Sequence, residues 1–338
     1  MILLDARPLL APSTRTEAHA GKFCVHSAAT TIEYTGERAH LVGEMLSLLD
    51  GRSSVVEIAA QVGIGLEQAG ALLSPLHDEA LLLDTALELH EGSGGEFFNG
   101  FRRECRFWSQ HIFAGRFWKH LRSGAAPLSM VLGWGIEFYH YVKYADEYMA
   151  AGVAHCSDSW LTRQWISKHF VEEAGHGEIF LEGLVDCGLS RSRIRDAPPL
   201  PATRALMNTL MESALEGALP YTACFGLTQP DAIAPTIAEH EQFYGSLRDH
   251  YPAAAGLFAA FLSHAKIDAG LKHDRTTIER ILEARRGAEP SQRRTILRSV
   301  RRLAEAFVLF HDQIADFYAV PSCQVPRRAL RMEEILFT

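Results

Sequence analysis

The sequence predicts a mainly α-helical protein: a helical bundle preceded by a small N-terminal α/β domain of winged-helix pattern. Three observations carry that prediction. From about residue 101 onward, apolar residues recur at helical spacing in long stretches, and strand signals are absent. Residues 22 to 84 instead pass from a β-like segment through two short helical runs to a short apolar strand. Between these regions, Glu88 to Gly100 carries Gly92, Gly94, Gly95 and Gly100 and reads as a linker. A chain of 338 residues suits one small and one larger domain, each with its own core.

Taken in order, Phe23 to Tyr34 is β-like, and Leu46-Ser47-Leu48-Leu49-Asp50-Gly51 leads into the first helix pair. Ser54 is placed to cap a helix over Val55 to Val62, Gly63 and Gly65 supply the turn, and Leu66 to Leu76 supplies the second helix. Leu81-Leu82-Leu83 follows as a strand, which completes the winged-helix pattern. The expected boundaries are 1–90 for this domain, 91–100 for the linker, 101–320 for the bundle and 321–338 for a tail. Helical stretches fall near 101–122, 127–154, 158–187, 203–226, 231–248, 252–285 and 291–318. Ala197-Pro198-Pro199 and Gln229-Pro230 are among the signals that part them.

Composition excludes several classes. Hydrophobic residues at 47% and charged residues at 22% are ordinary for a globular chain, and a net charge of -8 argues against a nucleic-acid partner held through phosphates. Arg293 to Arg302 reads as a solvated helix face between Ile296, Leu297, Val300 and Leu303. The six cysteines include no CxxC pair, which fits buried thiols in a reducing compartment and offers no zinc spacing. Asp5, Arg7, Pro8 and Pro12 interrupt the first apolar stretch, so neither a signal-peptide core nor a membrane span is expected, and a cytoplasmic location is.

Four residue pairs carry chemistry. Glu173 and His176, in Glu172-Glu173-Ala174-Gly175-His176, are expected on one helix face about a turn apart. Glu137 and His140 repeat that ExxH spacing in an apolar, aromatic helix, His264 and Asp268 are spaced i,i+4, and so are the two carboxylates Glu212 and Glu216. One such pair arises easily by chance. Four on four helices are different, because unpaired buried charges are costly and a shared cation removes much of that cost. Mixed imidazole and carboxylate donors on facing helices suit non-haem iron or manganese. Trp134, Phe138, Tyr139, Tyr141 and Tyr144 are candidates for a substrate wall, although aromatic residues at helical spacing are more often core. His240, His250 and His311 are expected at the surface or as caps.

The segment LLDGRSSVVEIAAQVGIGLEQAGALLSPLHDEALLL resembles the PqqD-like domains that bind leader peptides in peptide-modifying pathways. Its second helix carries Glu67, Gln68 and His77 but no Lys or Arg, unlike a DNA-reading helix. The resemblance implies a leader or carrier peptide as partner, added to a free strand edge. A vestigial folding or dimerisation module is the alternative.

Residues from about 100 to 320 resemble the haem-oxygenase-like di-iron oxidases and oxygenases of the PqqC/TenA-like superfamily. The features are a Glu in the first core helix, an E-E-x-G-H helix, a Glu four residues before a Pro, and an H-x-x-x-D helix. The order Glu, ExxH, Glu, ExxH of ferritin-like di-iron bundles fits less well. The resemblance implies Glu137, Glu173, His176, Glu216, His264 and Asp268 as metal ligands, two Fe(II) ions and O2 as co-substrate. The family's further His, three residues after the Asp, is here Leu271. His273 is nearest but lies half a turn off the face of His264, His140 is a second candidate to complete the set, and Glu212 stands in reserve beside Glu216. The implied protein is a non-haem iron oxidoreductase, homodimeric among other possibilities, acting on an amino-acid-derived or peptide-borne substrate in natural-product biosynthesis. A cofactorless oxidase that binds a quinone precursor directly, and a non-enzymatic peptide- or iron-binding scaffold, are the alternatives.

Overall fold

Among the described residues, all the strands fall before residue 85. The computed structural model describes residues 4–27, 30–90, 93–228, 236–270, 276–320 and 322–328. In it β1 (Pro8–Leu10) pairs antiparallel with β5 (Leu82–Asp84). β2 (Arg15–His19), β3 (Lys22–His26) and β4 (Thr31–Thr35) form an antiparallel sheet in that order. Helix α1 (Glu37–Leu46) packs on β3 and β4, and α2 (Val55–Val62) and α3 (Leu66–Asp78) form the helix-turn-helix. Ser54 and Glu57 make a reciprocal capping box at the start of α2, and Gly63 ends that helix in the left-handed conformation at φ 74°. Val25, Val42, Val55, Ile58, Leu72, Leu73 and Leu76 are buried together, and the Tyr34 hydroxyl donates to the Leu72 carbonyl at 3.0 Å.

The glycine-rich segment is not a linker where it is described: α4 (Gly94–Phe113) begins inside it. Ser93 and Glu96 form a second capping box, and Phe97, Phe98 and Phe101 give the helix a buried face that outweighs the entropic cost of its glycines. The chain divides into two compact units. One comprises Met1–Ala114, Gly226–Pro230 and Ile278–Arg301; the other comprises Gly115–Phe225, Asp231–Thr277 and Arg302–Thr338. This division assigns α4 and two later segments to the N-terminal unit.

The remaining helices are α5 (Arg116–Arg122), α6 (Leu128–Lys143), α7 (Ala145–Ala154), α8 (Trp160–Glu173), α9 (Gly177–Asp186), α10 (Arg191–Asp196), α11 (Pro201–Glu216), α12 (Ala218–Thr228), α13 (Ile237–His250), α14 (Ala255–Gly270), α15 (Thr277–Ala284) and α16 (Pro290–Tyr318). Among the described residues no strand follows β5. Several stretches that read as single helices are interrupted, at Gly115, at Ala174 to His176 and at Gly217, whose φ is 122°. The second unit buries Phe117, Trp134, Tyr139, Phe180, Leu206, Phe258 and Phe310.

One crossing positions the site. Helices α9 and α14 run antiparallel and pack closely through glycines, because a Cβ on Gly183 would lie 2.6 Å from the Ala260 Cβ, and one on Gly256 would lie 2.7 Å from the Gly183 carbonyl oxygen. Among the described residues no helix is long and apolar enough to cross a membrane.

Candidate metal centre

Helix α8 stops at Glu173. Ala174 leaves the helical conformation at ψ 129°, Gly175 takes φ 83°, and α9 restarts at Gly177 with His176 as its N-cap. Glu173 and His176 therefore flank a helix break instead of sharing one helix face. A left-handed glycine makes that break feasible. The Gly175 N–H donates to Asp146 Oδ1 at 3.1 Å, and the His176 N–H donates to the Glu173 carbonyl at 3.2 Å, so the turn brings the two side chains back together. On α14, His264 and Asp268 lie one turn apart, and the close crossing with α9 sets His264 against His176.

The result is a cluster of four donor residues, Glu173, His176, His264 and Asp268, with one ligand atom from each lying within 4.8 Å of all the others. His176 Nδ1 is 3.1 Å from Glu173 Oε2 and 3.2 Å from His264 Nε2. Metal bonds of about 2.1 Å at right angles place neighbouring donors about 3.0 Å apart, so His176 Nδ1 is spaced from each of the other two atoms as neighbouring donors around one cation are. Asp268 holds a different place: its Oδ2 faces His264 Nδ1 at 3.0 Å, on the far side of the ring from His176. That is the arrangement by which a carboxylate fixes the tautomer and orientation of a ligating histidine. Two imidazole nitrogens and a carboxylate oxygen are a donor set that suits iron, and the buried position of Glu173 and His176 fits a shielded centre.

Electrostatics agree with the geometry. Burial opposes the charge of Glu173, yet the imidazole of His169 at 3.6 Å and the hydrogen bond with His176 hold its carboxyl far below the usual range. The hydrogen bond to Glu173 raises the pKa of His176 against its own burial. Phe180 lies 5.3 Å from the His264 ring and packs with Phe138 and Phe261 into an apolar wall. Trp134 and Tyr139 belong to the core, whereas Tyr141 is hydrogen-bonded to Tyr148 and feels the charge of Glu173.

The other candidates lie elsewhere. Glu137 is fully buried and already satisfied: Oε2 accepts from the Thr203 hydroxyl at 2.6 Å and the Leu200 N–H at 2.9 Å, and Oε1 accepts from the Tyr318 hydroxyl at 2.8 Å. It ties α6 to α11 and α16 and is not part of the cluster. His140, one turn along α6, is hydrogen-bonded to the Ala197 backbone and is likewise outside it. Glu212 and Glu216 both pair with Arg302, the latter at 3.1 Å, so a guanidinium engages the two carboxylates that the sequence offered to a metal. Leu271 and His273 lie outside the described residues. His311 is buried, not a surface or capping residue; it stacks on Phe117 and donates from Nδ1 to the Phe307 carbonyl at 2.9 Å.

Sequence reasoning missed two residues. His169, one turn before Glu173 on α8, is buried with Nε2 3.6 Å from Glu173 Oε1. Its signal was present as His169-x-x-x-Glu173-x-x-His176. His240 on α13 feels the charge of Asp268 while burial lowers its pKa, and nothing in its local sequence marks it.

Fold and site together define a helical bundle that carries a cluster of nitrogen and oxygen donors able to hold a metal ion. The profile of a family described as iron-containing redox enzymes matches residues 132–308, just over half of the chain, and the chain belongs to that family. A pyrroloquinoline-quinone synthase of Klebsiella pneumoniae (strain 342) is 26% identical over 141 residues, spanning 39% of this chain and 53% of the relative. The match thus covers about half of that relative's length. A domain of unknown function with a haem-oxygenase-like fold from Shewanella denitrificans OS217 superposes with TM-score 0.52 and 18% identity, over 69% of this chain and 98% of its own. The larger part of the chain has the haem-oxygenase-like fold. A TenA family transcription regulator from Silicibacter sp. TM1040 gives TM-score 0.48 and 16% identity, over 66% and 96% of the two chains.

Proposed function

We propose that this oxidoreductase holds Fe(II) on Glu173, His176 and His264 and uses O2 to oxidise an amino-acid-derived or peptide-borne substrate. The observation that carries the reading is the convergence of Glu173, His176 and His264, with His176 Nδ1 3.1 Å from Glu173 Oε2 and 3.2 Å from His264 Nε2. Iron held by two histidines and one carboxylate keeps open positions at which dioxygen and substrate can be brought together. The protein positions the donors: the Gly175 turn aims His176, and Asp268 fixes the tautomer of His264. The wall of Phe138, Phe180 and Phe261 excludes water beside His264. This geometry favours one iron over two, because Asp268 is engaged behind His264, and Glu212 and Glu216 are engaged by Arg302.

Anaerobic titration of the full chain with Fe(II), followed by O2, tests the reading. One tightly bound iron per chain is expected, lost in His176→Ala and in His264→Ala without loss of helix content. Retained iron and oxygen consumption in both variants would rule the site out. The match to a quinone synthase supports a second reading, in which the same histidines and the neighbouring tyrosines hold an organic substrate directly. That reading requires full turnover after exhaustive chelation.

A peptide-borne substrate is supported by β2, all five of whose residues are exposed, at an edge of its sheet. Such an edge accepts an extended strand. Loss of peptide binding on placing a proline in β2, with the fold intact, is the expected result.

A further inference from the structure

We propose that His169 is a positioning residue that decides which oxygen of Glu173 is presented to the metal. The inference rests on the metal site argued above and goes beyond it.

A carboxylate on a metal can bind through one oxygen or through both, and nothing in an isolated glutamate selects between them. Here the selection is made by two imidazoles on opposite sides of one carboxylate. Glu173 Oε2 faces His176 Nδ1 at 3.1 Å, on the side where His264 Nε2 also converges. Glu173 Oε1 faces His169 Nε2 at 3.6 Å. His169 and Glu173 are an i,i+4 pair on the unbroken part of α8, and both lie on its narrow buried seam with Thr162 and Ile166. His176 by contrast arrives from beyond the break at Gly175. The pair on α8 is therefore set by helix geometry before the turn is made. The His169 ring is held in turn by Phe225, which meets it edge to face at 4.5 Å. A ring clamped by packing and aimed at the rear oxygen prevents that carboxylate from rotating into a chelating mode. Groups that orient a metal ligand from behind typically change metal affinity about 10- to 100-fold when removed.

The test uses the full chain and two metals, Fe(II) for affinity under anaerobic conditions and Co(II) for its ligand-field spectrum. His169→Phe keeps the ring packing against Phe225 and removes the polar edge, while His169→Gln restores a donor at a similar reach. The expected result is a 10- to 100-fold weaker dissociation constant for His169→Phe, a changed Co(II) ligand-field spectrum, and recovery to within a few-fold in His169→Gln. Wild-type affinity and spectrum in His169→Phe would overturn the proposal. So would equal losses in Phe and Gln variants accompanied by a lowered melting temperature, which would mark a packing role. His176→Ala separates the two levels: if it binds metal as tightly as the wild type, the site itself is wrong and this proposal falls with it. If it loses metal while His169→Phe does not, only the role of His169 is refuted.

Discussion

Glu137 and Glu173 are both buried glutamates on helices of one unit, and their surroundings assign them opposite roles. Glu137 accepts three hydrogen bonds from protein donors and has no need of a cation, whereas Glu173 faces two imidazoles. Removing the Glu137 carboxylate leaves the Thr203 hydroxyl, the Leu200 N–H and the Tyr318 hydroxyl without their acceptor, at about 1 to 3 kcal/mol for each group left buried. Glu137→Ala is expected to lower the unfolding free energy by at least about 3 kcal/mol without weakening metal binding to the folded chain, measured by denaturant titration and chelator competition. Glu216 gives the complementary expectation. Because Arg302 already engages it, Glu216→Ala should leave Fe(II) affinity within a few-fold of wild type, whereas His264→Ala should abolish it. Tight binding that depends on Glu216 would show that the carboxylate turns from Arg302 to the metal.

At the scale of elements, the site depends on one turn and one crossing. Gly175 at φ 83° has open space around it, so a methyl group would clash with no neighbour, and the penalty in Gly175→Ala is purely conformational. It is expected at about 1 to 2 kcal/mol, with a larger relative effect on metal affinity, because the turn aims His176. Gly183 is the reverse case, with no unusual backbone requirement but no room. Gly183→Val must push α9 from Ala260 and the Gly256 carbonyl, which separates His176 from His264. A stability loss of about 1 to 3 kcal/mol and loss of tight metal binding are expected, read by thermal melting and anaerobic titration. A variant that melts as the wild type does and still binds iron would show that the crossing is more compliant than its glycines suggest.

At the scale of the whole molecule, the buried His311 and the half-buried His140, both outside the centre, make stability depend on acid. Burial pulls His311 down to about 3, and it pulls His140 down to about 4 with help from Lys143, Arg204 and Arg327. Both folded values lie below the ordinary value of 6.5, so the unfolded chain binds protons first. Their contribution is intact above pH about 6.5 and is lost as pH falls toward the folded values, at up to about 1.4 kcal/mol per pH unit for each group. Unfolding free energies measured between pH 7 and 5 on the metal-free chain should fall more steeply in the wild type than in His311→Phe. Parallel curves for the two would mean that His311 titrates alike in the folded and unfolded chain.

The parts legible in the sequence were those that local spacing determines. Ser54 with Glu57 encodes a helix start, Gly63 its end, and the 3.6-residue apolar period encodes the helices after residue 100. His264 and Asp268 met as i,i+4 neighbours must. Ser93 with Glu96 was equally legible, yet the glycines around it suggested a linker, because glycine content weakens a helix only until a buried aromatic face outweighs it. Tertiary structure alone decided which ionisable pairs converge into one donor cluster. Glu137 and Glu216 have the residue type and the helical setting of ligands, but Tyr318, Thr203 and Arg302 satisfy them from distant parts of the chain. His169 has the spacing of a ligand neighbour, but its contact with Phe225 needs another helix. Glu173 and His176 do meet, as their spacing suggested, but a turn at Gly175 joins them instead of a helix face. Spacing along one helix is set by backbone geometry within a few residues; the choice among buried carboxylates is set by which donor reaches them first, and that is a property of the packed chain.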